Sequence, residues 1–388
     1  MHDVNRLLKD LNDALGQDKQ HLGFLLGAGC PAAVRVADGG NTRPLIPDIA
    51  GLTRVVTARL AGDKSFEALN KQFAEDGIKA PNVERMLTTV RNMLRVAGAG
   101  TTRGLNRDEL AALEGVICKA VYDTTCAALP VRNTCYHKFC RWIRDVERDM
   151  PVSLFTTNYD LLVEQALEEE EVPFFDGFAG ARVPFFDVRA MEDDVLPARW
   201  ARVWKLHGSI NWRVIDDGRL SVVREMTGVP TGGGLLIHPS ELKYDQSRRM
   251  PYLAMFDRLR SFLRSPGAVL VTCGYSFADE HLNETIIQGL TGNSGATAFG
   301  LLFKKLEEEP TATALIPRVP ANMSLLAVDK GVIRRRTEEW SDPDAPAVPG
   351  PGVSAPARVE FNLGDFGVFS DFVAGLIEAR PSPPHGRA

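Results

Sequence analysis

Residues 22–33 read Leu-Gly-Phe-Leu-Leu-Gly-Ala-Gly-Cys-Pro-Ala-Ala. The apolar run Leu22–Leu26 passes straight into Gly27-Ala28-Gly29. Such a run, stopping abruptly at small residues, predicts a buried strand followed by a tight turn. The pattern recurs along the chain. VSLFTT (152–157) ends at Asn158-Tyr159-Asp160 and is followed by the helical stretch LLVEQALEEE. ARVWKL (201–206) ends at His207-Gly208-Ser209. AVLVTC (268–273) ends at Gly274-Tyr275-Ser276-Phe277, with a helix from about Asp279. Further strands are expected at 298–303 and 325–328, and 235–237 is a short apolar run.

Between these runs the apolar spacing is helical. Val83, Met86, Leu87, Val90 and Leu94 form one stripe, Leu110, Leu113, Ile117 and Val121 another, and 136–146 has the same character. Strands alternating with helices predict a parallel, doubly wound α/β sheet. A helical block is expected over about 55–150. The organisation that follows is an N-terminal helix in 1–20, a main domain over 21–335, and a Pro-rich linker with a C-terminal docking segment over 336–388. Within the last part, 341–359 carries five prolines, 361–380 is apolar enough to dock as strand plus helix, and the end reads as a frayed tail.

The chain has 388 residues, 44% hydrophobic and 24% charged, which excludes fibrous and largely disordered classes. Lys+Arg 45 against Asp+Glu 50 leaves −5, so no global basic excess points to nucleic acid. Local clusters, Arg334-Arg335-Arg336 and Arg248-Arg249, read first as solvated faces. Six cysteines are too few for a disulfide scaffold and read as reduced thiols. Cys135 and Cys140 have C-x4-C spacing with His137 between them, but no second pair completes a four-ligand metal set. The polar N-terminus resembles no signal peptide, and no apolar run is long enough to span a bilayer. A cytoplasmic protein without membrane contact is expected.

In a doubly wound sheet, ligands bind at the carboxyl ends of the strands. Four such ends here carry glycine or unusual polar residues. Gly27-Ala28-Gly29 lets backbone approach a ligand and offers N–H groups to a phosphate, although it serves equally as a structural turn. GAGCPA has Ala32 where the full dinucleotide fingerprint has its last glycine. Asn158 and Asp160 stand where a strand stops and a helix starts, so capping is the competing reading. His207 is the best acid/base candidate among the seven histidines. His281 would cap or pair locally, or enter the site, and His238 would line a pocket. The HExxH, GxxxxGK[ST] and GxSxG motifs are absent, which removes the metalloprotease, P-loop and hydrolase-elbow readings.

Taken together and in order, GAGCPAAV, IPDIAGL at 46–52, TTNYD, LHGS and GYS resemble the sirtuin family over about residues 22–280. The resemblance implies a Rossmann-like parallel sheet with an inserted helical subdomain. It also implies that Gly27, Ala28 and Gly29 face the NAD diphosphate and that Asn158 sits by the nicotinamide ribose and positions a water. By the same resemblance Asp160 and Asp48 lie at the nicotinamide end, His207 is general base, and Gly274 and Ser276 meet phosphate or adenosine ribose. Two departures matter. No cysteine follows His207 until Cys273, so the sirtuin zinc module is missing, and GSINWRVIDDGRLSVV reads instead as a hairpin turning at Asp216-Asp217-Gly218. Cys30 replaces the serine of the family's first loop.

With those departures the chain is similar to the sirtuin-like NADases of bacterial antiphage defence. That likeness implies an NAD+ glycohydrolase releasing nicotinamide and ADP-ribose, with NAD+ as substrate and no further cofactor. It implies a homo-oligomer working with a separate sensor, first a HerA-type ATPase and second a short Argonaute. The alternatives are an NAD or ADP-ribose sensing module without turnover and a zinc-less protein deacylase.

Overall fold

The short apolar runs become the strands of a twisted sheet covered by helices on both faces. The computed structural model describes residues 1–216, 220–225, 235–237, 251–342 and 359–378. Six parallel strands form the sheet centre: β1 (Leu22–Leu26), β2 (Val152–Thr156), β3 (Ala201–Lys205), β4 (Val269–Cys273), β5 (Thr297–Leu301) and β6 (Met323–Leu326). Their spatial order is β3-β2-β1-β4-β5-β6. This is the doubly wound order, and it reverses direction between β1 and β4. Every residue of β1, β3 and β4 is buried, as parallel strands covered on both faces require.

Side-chain alternation splits each strand between two cores. On β1, Leu22, Phe24 and Leu26 face one helical layer, and Leu25 faces the other. The first layer is built from helices Val4–Gly16, Cys135–Asp145, Leu162–Glu169 and Phe366–Glu378. The second contains Tyr252–Arg264 and Glu280–Gly292. Gly23 has no side chain because the Phe262 ring occupies its place: an added Cβ would lie 2.6 Å from that ring.

The helical stretch divides between two cores as well. Helices Ile49–Arg59, Lys64–Glu75, Val83–Val96 and Arg107–Thr125 close around their own centre of Val56, Leu69, Val90, Leu113 and Ile117. Each starts at a carboxylate or amide cap, Asp48, Asp63, Asn82 or Asn106, whose side chain accepts an N–H of the first turn. Helix Cys135–Asp145 belongs to the sheet core instead, because Tyr136, Phe139 and Trp142 line its inner face.

Two features differ from the expected all-parallel sheet. Antiparallel strands Lys330–Ile333 and Arg336–Ser341 extend the β6 edge, and His2–Asp3 pairs outside them. Their two-residue turn is Arg334-Arg335, both left-handed at φ 50° and 65°. Such turns normally announce themselves with Asn or Gly, so arginines there hid the hairpin from a sequence reading. The C-terminal segment docks as helix Phe366–Glu378 alone rather than as strand plus helix. The hairpin already occupies the sheet edge, and the segment meets it through the Phe361 N–H to the Val328 carbonyl at 2.9 Å and the Phe361 ring beside Trp340. Strand Leu220–Arg224 pairs with Gly208–Asp216 as the expected hairpin, while its turn at 217–219 lies outside the described residues. Most of the Pro-rich stretch, the tail and Arg248-Arg249 also lie outside them. No described helix is long and apolar enough to cross a membrane.

Phe24 joins the C-terminal helix to the sheet. Its ring meets Phe139 edge-on at 4.9 Å, Trp142 at 5.7 Å and Phe369 at 6.0 Å. Phe369 is fully buried. Phe369→Ala is expected to lower the urea unfolding free energy by about 3–5 kcal/mol, the range for emptying a buried aromatic site. A loss below about 1 kcal/mol would show that the C-terminal helix does not share the sheet's core.

Candidate functional site

Hydrogen-bond register brings the four strand ends together. Cys273 pairs with Leu26, Leu26 with Thr156, and Thr156 with Lys205. The chain therefore leaves the sheet at one level, through Gly274, Gly27, Thr157 and Leu206. This level spans the reversal between β1 and β4, where side-by-side crossovers diverge and leave a crevice.

Two loops interlock there. The Gly27 N–H donates to the Cys273 carbonyl and the Gly29 N–H to the Gly274 carbonyl, each at 2.9 Å. A Cβ on Gly27 would lie 2.3 Å from the Gly274 oxygen. Gly274 is left-handed at φ +63°, and its Cβ would lie 2.5 Å from the Cys30 nitrogen. Glycine is thus required for backbone to touch backbone. The N–H groups of Gly27 and Gly29 serve this loop contact, and the Cys30 N–H closes the turn onto the Gly27 carbonyl at 3.0 Å. The sequence reading assigned such donors to a phosphate, whereas their hydrogen bonds here are internal. Ala28 sits partly exposed at the crest and Gly29 is exposed.

The TTNYD turn is tied to this pair of loops and to the next strand end. Asn158 is buried, and its side-chain amide donates to the Gly27 carbonyl at 3.0 Å. That bond fixes which end of the amide turns away from Gly27, the Oδ1 acceptor. The Asp160 carboxylate accepts the Leu162 N–H at 3.0 Å, from one position outside Leu161, the N-cap of the helix that follows. Burial pushes the Asp160 carboxyl up to about 6, against the pull of Lys205. Lys205, itself buried, donates to the Asp160 carbonyl and to Glu164 at 3.0 Å. Tyr159 turns the other way, into the helical block, where its hydroxyl donates to Glu84 at 3.2 Å. Burial, then the Glu84 charge, pushes that phenol well up, so it remains a donor.

His207 follows β3. The Leu206 N–H bonds the Thr156 carbonyl at 2.8 Å, and the Ile210 N–H bonds the Tyr159 carbonyl at 3.0 Å. Segments 156–160 and 206–210 are thereby zipped along each other, with the His207 ring centroid 6.5 Å from that of Tyr159. Gly208, at φ +91°, lets the chain reverse into the next strand. The imidazole Nε2 lies 3.0 Å from Asp279 Oδ2, and both residues are buried. A histidine held by a carboxylate beside a fixed amide is an arrangement that can take up a proton from water.

Asp279 escaped the sequence reading as a site residue and entered it only as the start of a helix. No local spacing links residues 72 apart. Its only sequence signal is its position as a helix cap after one of the four strand ends. Asp48 is exposed and caps helix Ile49–Arg59 through the Gly51 N–H at 2.8 Å. Ser276 is exposed, and its carbonyl accepts the Thr311 hydroxyl. His281 packs on the Phe256 ring at 5.1 Å, and His238 lies outside the described residues. His137 is fully buried with Nδ1 at Thr134 and Nε2 at Glu169, both 2.7 Å, so its nitrogens are engaged and the idea of a metal site with Cys135 and Cys140 is withdrawn. Among the described residues no group of three His, Cys, Asp or Glu could hold a metal ion. A groove of about 1310 Å³ opens at the opposite, amino ends of the strands, lined in part by Arg6, Val269, Thr297, Arg334 and Arg335, and it contains none of the strand-end motifs.

Residues 152–315 match the family model described as a SIR2-like domain. No curated protein matches the chain. Solved structures with some likeness include one from work on the mechanism and regulation of Sir2 enzymes, at 12% identity, 97% of this chain, 98% of that chain and TM-score 0.40. A Sir2 homologue in complex with NAD shows 15% identity, 96% and 94% coverage and TM-score 0.36. A mutant Sir2 homologue in complex with ADP-ribose shows 14%, 78% and 88%, with TM-score 0.34.

Gly274→Ala should destabilise the protein in chemical unfolding more than Gly62→Ala, which shares a positive φ of +80° but has open space around its Cβ. The backbone term alone is about 1–3 kcal/mol, and equal losses would deny the loop interlock. Asp160 has a raised carboxyl, so its neutral form is favoured in the folded state. Its contribution is fully present below the ordinary value of 3.8 and is lost as pH rises through about 6. Stability of the wild type relative to Asp160→Asn should therefore fall by roughly 2–3 kcal/mol between pH 3.5 and 7. A flat difference across that range would refute the assignment.

Proposed function

We propose that this protein is an NAD+ glycohydrolase that releases nicotinamide and ADP-ribose. The observation that carries the reading is the Asn158 amide pinned to the Gly27 turn beside His207, all at the strand ends that flank the sheet reversal. The SIR2-like domain match over 152–315 includes both Asn158 and His207 and supports an NAD-related activity.

The chemistry asks little of the protein. The bond from ribose C1′ to the nicotinamide nitrogen breaks, and the electron pair leaves with neutral nicotinamide. The resulting oxocarbenium-like carbon is attacked by water, and the proton released passes to a base. Asn158 would hold that water, and His207 would take the proton. Asp160, bonded to the Leu162 N–H at the start of the next helix, would keep the turn in place. Gly274, Ser276 and Asp48 are offered as contacts to the rest of the dinucleotide. The missing zinc cysteines after His207 favour hydrolysis over protein deacylation. We extend the reading to an NAD-depleting effector of antiphage defence, assembled as a homo-oligomer with a HerA-type ATPase or, second, a short Argonaute. That extension rests on the ordered motif set.

The test is chromatography of NAD+ incubated with purified protein, alone and with the product of the neighbouring gene. Equimolar nicotinamide and ADP-ribose should appear without any acyl-peptide. His207→Ala and Asn158→Ala should each reduce the rate by about 100-fold or more, the usual weight of an acid/base group. NAD+ binding without release in both arms would replace the hydrolase with a binding module.

A further inference from the structure

We infer that Asp279 is the positioning residue for His207, holding its imidazole as the Nε2–H tautomer and so assigning proton uptake to Nδ1. The identification of His207 as the base rests on the hydrolase reading; the pairing itself does not.

The carboxylate is fixed before it reaches the histidine. Oδ1 accepts the Leu282 N–H at 3.1 Å, where Asp279 caps helix Glu280–Gly292. A cap needs one oxygen, and serine, threonine or asparagine would serve as well. The second oxygen is the one at His207, 3.0 Å from Nε2. An ionised carboxylate only accepts, so the shared proton sits on Nε2 and the neutral ring carries its lone pair on Nδ1.

The loop that delivers Asp279 is held under strain. Phe277 is a buried aromatic in the left-handed region at φ 56°, a conformation a bulky side chain rarely adopts. Asn283 Nδ2 donates to the Phe277 carbonyl at 2.8 Å. The Tyr275 hydroxyl lies 2.8 Å from Asn283 Oδ1 and 3.2 Å from the Asp279 carbonyl. Gly300 makes room for the Phe277 ring, since its Cβ would stand 2.9 Å from it. Strain of this kind persists only where the surroundings over-determine it. Here they fix both the backbone and the side chain of the residue that faces His207. When His207 accepts a proton it becomes a buried cation, and the adjacent carboxylate compensates it. Asp279 should therefore act on turnover and leave dinucleotide binding alone.

The test uses the full chain labelled with ¹⁵N-histidine, with the His207 signals assigned by His207→Gln. Long-range ¹H–¹⁵N correlation reads the tautomer directly. Asp279→Ser keeps the cap but is too short to reach the ring, and Asp279→Asn, with one oxygen, keeps the cap only by turning its NH2 donor toward Nε2. The expected wild-type signal is Nε2–H, lost in the serine variant and moved to Nδ1–H in the asparagine variant, whose NH2 makes Nε2 the acceptor. Nicotinamide release should fall about 100-fold with serine and at least as far with asparagine, with NAD+ affinity within about threefold. An Nδ1–H wild-type signal, or a serine variant with unchanged tautomer and rate, would overturn the pairing. If no variant and no wild-type sample releases nicotinamide while the tautomer changes as expected, the pairing stands and the hydrolase reading fails.

Discussion

The register across β4, β1, β2 and β3 aligns Cys273, Leu26, Thr156 and Lys205, and the chain must leave the sheet at the next residue of each strand. Parallel strands bond at even spacing, so a one-residue slip in any strand would move its exit loop off this level and turn its buried face outward. The glycine turn, the TTNYD turn, the LHG turn and the Gly274 loop are neighbours for this reason. Their further bonds, Asn158 to Gly27, Leu206 to Thr156 and Ile210 to Tyr159, are short-range consequences of that alignment.

The level above the sheet is densely polar yet buried, and each charge there has an answering group. Lys205 lies under the TTNYD turn against Glu164 and the Asp160 carbonyl. His207 faces Asp279. Buried ionisable groups are tolerated when paired in this way, and removing one partner leaves the other exposed to the full desolvation cost. The same reasoning separates two carboxylates that look alike in sequence. Asp160 ties its own turn to the Leu162 N–H, and Asp279 caps a helix with one oxygen and holds the histidine with the other.

The helical block reaches this level through Tyr159 of the turn, with Ile210 and Leu161 beside it in the block's core. Tyr159, between Asn158 and Asp160, inserts into the block's own core and bonds Glu84. Insert and site turn are thus mechanically joined, although the insert carries none of the strand-end motifs.

The amino-acid sequence by itself determined the class of fold and the places where chemistry could sit. Apolar runs ending at glycine or polar residues are local signals of buried strands, and the helical stripes over 83–94 and 110–121 are local signals of amphipathic helices. Asn158 and His207 were legible because each follows such a run. The tertiary structure decided the rest. The strand order, the loss of two Gly-turn N–H groups to the neighbouring loop and the His207–Asp279 pair all arise between segments far apart in the chain. The hairpin at Arg334-Arg335 was hidden because arginine gives no sign of a left-handed turn. Spacing encodes what one element does with its own face; which loop meets which is set by hydrogen-bond register and by the side chains that fill the space between layers.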